Sequence, residues 1–385
     1  MRLLSSAVYY LLLVLALAAS LVVLGVPPGA VLRPTCPFRD CYRVVRNGGG
    51  EKTAARVVRT ARHRMFQDLH VVDFHAHFPV KGDVSALGGG VREYAAGSPA
   101  AEQAAYLRAQ SERYRAAWRL AWDFPTPEPE PEAGDQAVDA LADRWLAELD
   151  RYGIDRIGFA TGGGNDTLAR AVARHPQRFI GFAHHDPFAP DAADELRRAI
   201  GELGLRGLKI LAPALKRRID DRALYPLWEA VEALGVPVLI HFGMLGGGGG
   251  ISWNERDNPG ALEQVCRDFP TIPFVVPHFG IQYVKELLFL SWACENVHVD
   301  TSGSNQWTRW MPYSLTLDDL IRKFYETVGP DRILFGSDSS WFPRGFSVRY
   351  LQDQIRACRF MNLPDDALRK IFGGNAVRLF RLGGT

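Results

Sequence analysis

Eight short β-rich runs, most of them followed by a helical stretch, constrain this chain more than any other feature. They are VVDFHAH (71–77), IDRIGFAT (154–161), RFIGFAHH (178–185), LRGLKIL (205–211), PVLIHF (237–242), PFVVPHF (273–279), VHVDTS (297–302) and RILFGSD (332–338). Helix-like stretches at 166–175, 191–203, 223–234, 261–269, 283–293 and 317–328 separate the later runs. From the second run onward their ends lie roughly 23 to 37 residues apart, close to the ~30 that a parallel partner needs for a helical crossover. Eight such units in series predict a (β/α)8 TIM barrel rather than an open sheet. With 47% of its 385 residues apolar, the chain has material for one large core.

Two segments break the pattern. More than 70 residues separate the first run from the second, an insertion placed at about 85–135. It holds a helical piece over 99–122 behind Ser98 as N-cap, then a proline- and glutamate-rich stretch that reads as a stiff spacer. A loop that follows the first barrel strand sits on the face where sites lie, so it either caps a pocket or decorates the rim. The glycine run 246–250 after the fifth β-run is a candidate lid or hinge on the same face.

The N-terminus breaks it differently. Ala7 to Val26 carries no charge, and about 20 apolar residues span a ~30 Å hydrocarbon layer. Residues 1–34 therefore read as a transmembrane anchor or an uncleaved signal, residues 35–70 as a basic connector, and 71–385 as the barrel. Arg2 precedes the span while Arg33, Arg39, Arg43 and Arg46 follow it, which places the body in the cytoplasm. Cys36 and Cys41 argue the opposite way if they form a disulfide. Cys266, Cys294 and Cys358 lie in helical stretches and read as buried small hydrophobes. A formal net charge of +2 gives no electrostatic case for nucleic acid. The partners expected are a small-molecule substrate and the membrane through residues 7–26, with a homo-oligomer left open.

The chemistry gathers at the strand ends. Strict alternation puts Val71, Asp73, His75 and His77 on one face, pointing inward, with Val72, Phe74 and Ala76 outward. The fifth run ends in His241, the sixth in His278, the seventh in Asp300 and the eighth in Asp338. In a barrel these ends aim at one mouth, and several neutral imidazoles with a carboxylate suit a divalent ion: zinc, with manganese or iron as alternatives. His184 and His185 end the third run and read as hydrogen-bonded rather than ligating. Trp253, Trp307 and Trp341 are placed to stack on an aromatic substrate, and Arg309 and Arg344 are the arginines at hand for a substrate carboxylate.

The stretches VVDFHAHF, LRGLKI, VLIHFG, VVPHFG, VHVDTSG, RILFGSDSSW and GGNAVRLF, spread over residues 71–382, resemble the amidohydrolase superfamily. The wording is similar to its amidohydrolase-related branch, which includes aminocarboxymuconate-semialdehyde decarboxylase. The resemblance implies His75, His77, His241 and Asp338 as ligands of one ion. It also implies His278 as an acid–base or polarising group, with Asp338 handling the proton. Lys209 is the local candidate for a bridging ligand to a second ion, or else pairs with an inward carboxylate. Asp73 and Asp300 are candidates to orient the ligand histidines. The first expectation is metal-assisted hydrolysis of an amide, lactone or related acyl bond. The alternative is non-oxidative decarboxylation of a small carboxylic acid, aromatic acids included; a third reading is an inactive membrane-tethered binding barrel.

Overall fold

A computed structural model describes residues 69–81, 94–122, 124–246 and 250–383, all within the compact unit Leu69–Thr385. The apolar run 7–26, the connector, Cys36, Cys41 and residues 247–249 of the glycine loop lie outside the described residues. Among the described helices none is long and apolar enough to cross a membrane.

All eight expected runs contain strands: β1 Val72–Ala76, β2 Arg156–Phe159, β3 Phe179–Gly181, β4 Leu208–Leu211, β5 Val238–His241, β6 Phe274–Val276, β7 Val297–Asp300 and β8 Ile333–Leu334. They pair in parallel and in chain order, β1-β2-β3 in one sheet and β4 to β8 in another. Two seams of hydrogen bonds join the sheets into a closed ring. At one, the Ala183 amide donates to the Gly207 carbonyl and the Lys209 amide to the Ala183 carbonyl, both at 2.7 Å. At the other, the Phe74 amide donates to Phe335 and the Asp338 amide to His75, both at 2.9 Å. Closure leaves no free sheet edge and gathers every strand end at one rim.

Helices supply the crossovers. α1 (Pro99–Ala121) belongs to the insertion. α2 (Asp135–Tyr152), α3 (Asn165–Arg174), α4 (Ala192–Gly201), α5 (Tyr225–Leu234), α6 (Glu263–Asp268), α7 (Val284–Ala293), α8 (Leu317–Val328) and α9 (Val348–Phe360) follow successive segments, and α10 (Asn375–Leu379) closes the chain. Ser98 caps α1 as expected, its hydroxyl accepting from the Ala101 amide at 3.2 Å, but α1 buries no residue fully. Cys266, Cys294 and Cys358 are buried.

The interior corrects one expectation. Val72 and Phe74 do not face outward. They share a core cluster with Ile180 and Phe182 of the β3 segment, Leu239 of β5, Val275 of β6 and Leu334 of β8, residues that meet only inside the ring. Ala376, Leu379 and Phe380 from the chain's end fill the same cluster, and the Phe380 ring stacks on Phe74 at 4.7 Å. The phase of β1 changes because its register against β2 shifts between Asp73 and Ala76. Such a bulge sets two residues against one, so Phe74 fills the lower interior while His75, next in the chain, also reaches the interior above it.

Gly158 accommodates the bulge: a Cβ there would lie 2.7 Å from the Phe74 carbonyl oxygen. Because that neighbour is backbone within a hydrogen-bonded ring, it cannot turn aside. Gly158→Ala is expected to lower unfolding stability by about 1–3 kcal/mol, the usual cost of overpacking. Urea denaturation of the variant beside the parent checks this, and equal midpoints would contradict it.

Candidate metal centre

His75 is completely buried at the end of β1. Its Nδ1 lies 2.9 Å from Asp300 Oδ2, and the Ser302 hydroxyl sits 2.9 Å from the same nitrogen. A carboxylate oxygen only accepts, so Nδ1 carries the proton and Nε2 keeps its lone pair. His278 is arranged the same way: its Nδ1 lies 2.7 Å from the Ser302 carbonyl, which also only accepts, leaving its Nε2 unprotonated. Each ring is thereby locked in the tautomer a metal ligand needs.

Asp338 completes the group. Ligand atoms of His75, His278 and Asp338 all lie within 4.8 Å of one another, which makes this the metal-competent group among the described residues. Two imidazoles and a carboxylate around one point suit a borderline divalent cation, so the residues present fit such an ion.

The other two expected ligands stand beside the group. His77 places Nε2 3.4 Å from Asp338 Oδ1 and anchors its Nδ1 2.8 Å from the Thr161 hydroxyl. The His241 ring is 5.0 Å from that of His278, but its Nε2 is 3.0 Å from the Met244 carbonyl. The geometry therefore brings His278 into the ligand-atom cluster and sets His241 at its margin. Lys209 is buried and points its Nζ to within 3.4 Å of His75 Nε2, so its nearest partner is an imidazole rather than a carboxylate.

Electrostatics favour ligation. Burial holds the His75 imidazole well below the ordinary histidine range, helped by the charges of Lys209, His77 and His278. His241 is lowered in the same way, by burial first and then by His278. Neutral imidazoles are what a cation binds. Burial works to raise the Asp338 carboxyl, yet the His77 hydrogen bond and the surrounding imidazoles outweigh it and hold the group far below the usual carboxylate range. Its side chain remains 35% exposed, so the carboxylate faces the mouth. Lys209 is pulled down to about 8 by burial. Asp300, wholly enclosed, is raised by burial.

Local backbone pays for this geometry. His278, Phe279 and Ile281 have φ of 59°, 49° and 53°, and Asp338 has 55°. Side chains other than glycine rarely adopt this region, at a cost of about 1–3 kcal/mol each. Gly303, at φ 61°, lets the two strained residues meet: a Cβ there would lie 3.0 Å from Asp338 Oδ2 and 3.3 Å from His278 Nδ1.

The remaining expected residues sort by their contacts. Asp73 accepts from the His75 and Ser337 amides at 3.1 and 3.0 Å, and burial raises its carboxyl to about 7. It ties β1 to the segment after β8 and orients the backbone of His75 rather than its ring. The His184 ring receives the Gly162 and Gly164 amides at 3.3 and 3.1 Å, and His185 meets the Ala192 carbonyl at 2.9 Å, so both serve loops. Trp253 is largely exposed and Trp307 is buried, whereas Trp341 joins an aromatic group at the mouth. Ser302, Gly303, Thr161 and Ser337 were not singled out in the sequence. The only hint of Ser302 is its position two residues beyond Asp300 on the same strand end.

Comparisons with known proteins bear on this centre. A family model described as Amidohydrolase matches residues 72–382. A 2-amino-3-carboxymuconate-6-semialdehyde decarboxylase of Dictyostelium discoideum is 40% identical over 78 residues, 20% of this chain and 22% of that protein. The chain thus spans under a quarter of the length of this curated relative. A γ-resorcylate decarboxylase of a Rhizobium species is 26% identical over 267 residues, 57% of this chain and 76% of the relative. The crystal structure of a 5-carboxyvanillate decarboxylase from Novosphingobium aromaticivorans, with bound manganese, superposes with a TM-score of 0.51 at 18% identity. It covers 87% of this chain and 99% of that one, a likeness of fold.

Replacing both His75 and His77 by alanine is expected to bring divalent-metal content close to zero while the fold remains. Metal analysis by mass spectrometry beside far-UV circular dichroism reads both. Full stoichiometry in the double variant would refute the assignment of the centre.

Proposed function

The chain belongs to the amidohydrolase family, a family of enzymes, and on that premise we propose that it is a metal-dependent, non-oxidative decarboxylase of a small aromatic or conjugated carboxylic acid. The observation that carries this reading is the match to γ-resorcylate decarboxylase over more than half the chain. It favours decarboxylation over the metal-assisted hydrolysis placed first from the sequence. The proposed ion is zinc or manganese, held by His75, His278 and Asp338, with His77 and His241 completing its surroundings. Anchoring through residues 7–26 remains part of the proposal.

A divalent ion bound there would act as a Lewis acid toward the oxygens of the substrate. The protein's own groups do the rest. Asp338, kept ionised by His77 and its neighbours, accepts the proton of a substrate hydroxyl adjacent to the carboxylate. The same carboxyl then gives that proton to the ring carbon bearing the carboxylate. The C–C bond breaks with its electron pair left on the ring, CO2 departs, and a solvent proton restores the phenol. Asp300 and the Ser302 carbonyl hold the Nδ1 protons of His75 and His278, so neither ring turns during the cycle.

The test is release of CO2 from hydroxybenzoates by metal-loaded protein, run beside lactone and amide substrates. CO2 from the acids with no hydrolysis is the expected result; hydrolysis without CO2 would overturn it. Asp338→Asn is expected to lower kcat by about 10²–10⁴-fold, the usual loss for a positioned acid–base group. Unchanged turnover in that variant would assign the proton transfer to another group.

A further inference from the structure

Two of the buried thiols meet where neighbouring helices end. Cys266 stands in α6 and Cys294 caps the end of α7, the helices that lead into β6 and β7. Asn296, two residues beyond Cys294, ties them together. Its side-chain amide donates to the Cys266 carbonyl at 3.2 Å and to those of Phe269 and Ile272 at 3.0 and 3.1 Å. Across this clamp the Cys266 thiol donates a hydrogen bond to the Cys294 sulfur.

The two sulfurs differ in character. Arg332 covers the end of α7: its Nη1 donates to the Ser291 and Cys294 carbonyls at 2.8 and 3.0 Å and reaches those of Val297 and Glu295 at 3.3 and 3.4 Å. The negative end of the helix dipole, which opposes a thiolate, is therefore met by a full positive charge. The bond from Cys266, with Arg267 and Arg332 behind it, draws the Cys294 thiol down to about 7 against burial and Glu263. Cys266 is pushed up, by burial first and then by its bond to Cys294. One thiol is thus a nucleophile near neutrality and the other a proton-bearing donor aimed at it. Cys294 is buried, but Ala293 and Glu295 on either side of it are exposed, so a water-sized reagent reaches the sulfur from the helix end.

We propose that Cys266 and Cys294 form an oxidation site, at which hydrogen peroxide converts the pair into an intramolecular disulfide. In the first step the Cys294 thiolate attacks one peroxide oxygen. The O–O bond breaks, Cys294 becomes a sulfenic acid, and the second oxygen leaves as water with the proton Cys294 had released. The Cys266 sulfur then attacks Cys294 Sγ, the S–O bond breaks, and the hydroxyl leaves as water with the Cys266 proton. Two thiols lose two electrons and one peroxide gains them, giving one disulfide and two waters. The bridge closes a loop over residues 266–294, which contains β6 and His278. Oxidation thereby fastens the unit that carries a histidine of the metal centre, from the end away from the mouth. This site is independent of the reaction proposed above.

The experiment treats full-length, metal-loaded protein with stoichiometric hydrogen peroxide, blocks the remaining thiols with N-ethylmaleimide in denaturant and maps the digest by mass spectrometry. A Cys266–Cys294 linked peptide that dithiothreitol separates is expected. Cys358, buried in α9 with Asp318 and Arg359 as its charged neighbours, should stay a thiol and serves as the internal control. No linked peptide, or Cys358 oxidised as readily, overturns the proposal. Cys266→Ser is expected to leave Cys294 as the sulfenic acid, read as a dimedone adduct, whereas Cys294→Ser should leave Cys266 without one. An adduct on Cys266 in the second variant overturns the assignment of Cys294 as the attacking sulfur. Should a serine variant not fold, the parent decides alone. Its rate of linkage is expected to rise about tenfold between about pH 6 and pH 8, as Cys294 ionises through about 7, and a rate independent of pH overturns the proposal.

Discussion

The hydrogen bond between His75 Nδ1 and the wholly buried Asp300 holds the rest of the centre in place. It joins the ends of β1 and β7, 225 residues apart in sequence, and it forms only once the ring has closed. With Nδ1 committed to Asp300, the other nitrogen of His75 is left as a ligand. The Ser302 hydroxyl sits on Asp300, His75 and His278 together, so one small side chain registers two imidazoles and a carboxylate. Burial keeps His75 neutral while its neighbours keep Asp338 ionised. An unpaired charge or an idle donor here would cost several times what a surface contact contributes, which is why the polar groups around His75 are so fully connected.

That network rests on two irregularities. The register shift in β1 lets Phe74 enter the core and His75 enter the site from consecutive positions. Left-handed backbone at His278 and Asp338 turns both residues toward each other across Gly303. Regular strands would deliver one residue in two to the interior and nothing sharper. The strain is concentrated where the ligand atoms converge, as expected when a rigid scaffold over-determines a few positions for chemistry.

Much of this was legible beforehand. Hydrophobic periodicity located all eight strands, because a strand buried in a closed ring must be apolar until it reaches the rim. His75, His77, His241, His278, Asp300 and Asp338 stood out because polar residues at the end of an apolar run need a reason to be there. The partners were harder to see. Ser302, Thr161 and Ser337 are common small residues whose role is set by what lies across the barrel, and a sequence does not record that. Arg344 did stand out as an arginine at hand for a substrate carboxylate, but its bond to the Asp338 carbonyl is visible only once the segment after β8 has folded.

By itself the sequence determined the parallel α/β architecture, the rim on which chemistry gathers, and the residue types able to hold a cation. These are local properties: a 30-residue repeat and strand ends that turn polar follow from short-range patterning. Only the tertiary structure decided that His278 converges with His75 and Asp338 while His241 turns toward Met244. It also decided that β1 changes phase and that the insertion leans on Trp341 and Tyr350. Those outcomes depend on distances between segments far apart in the chain, and such distances exist only after the ring has closed and the bulge and left-handed turns have set the final aim of each side chain.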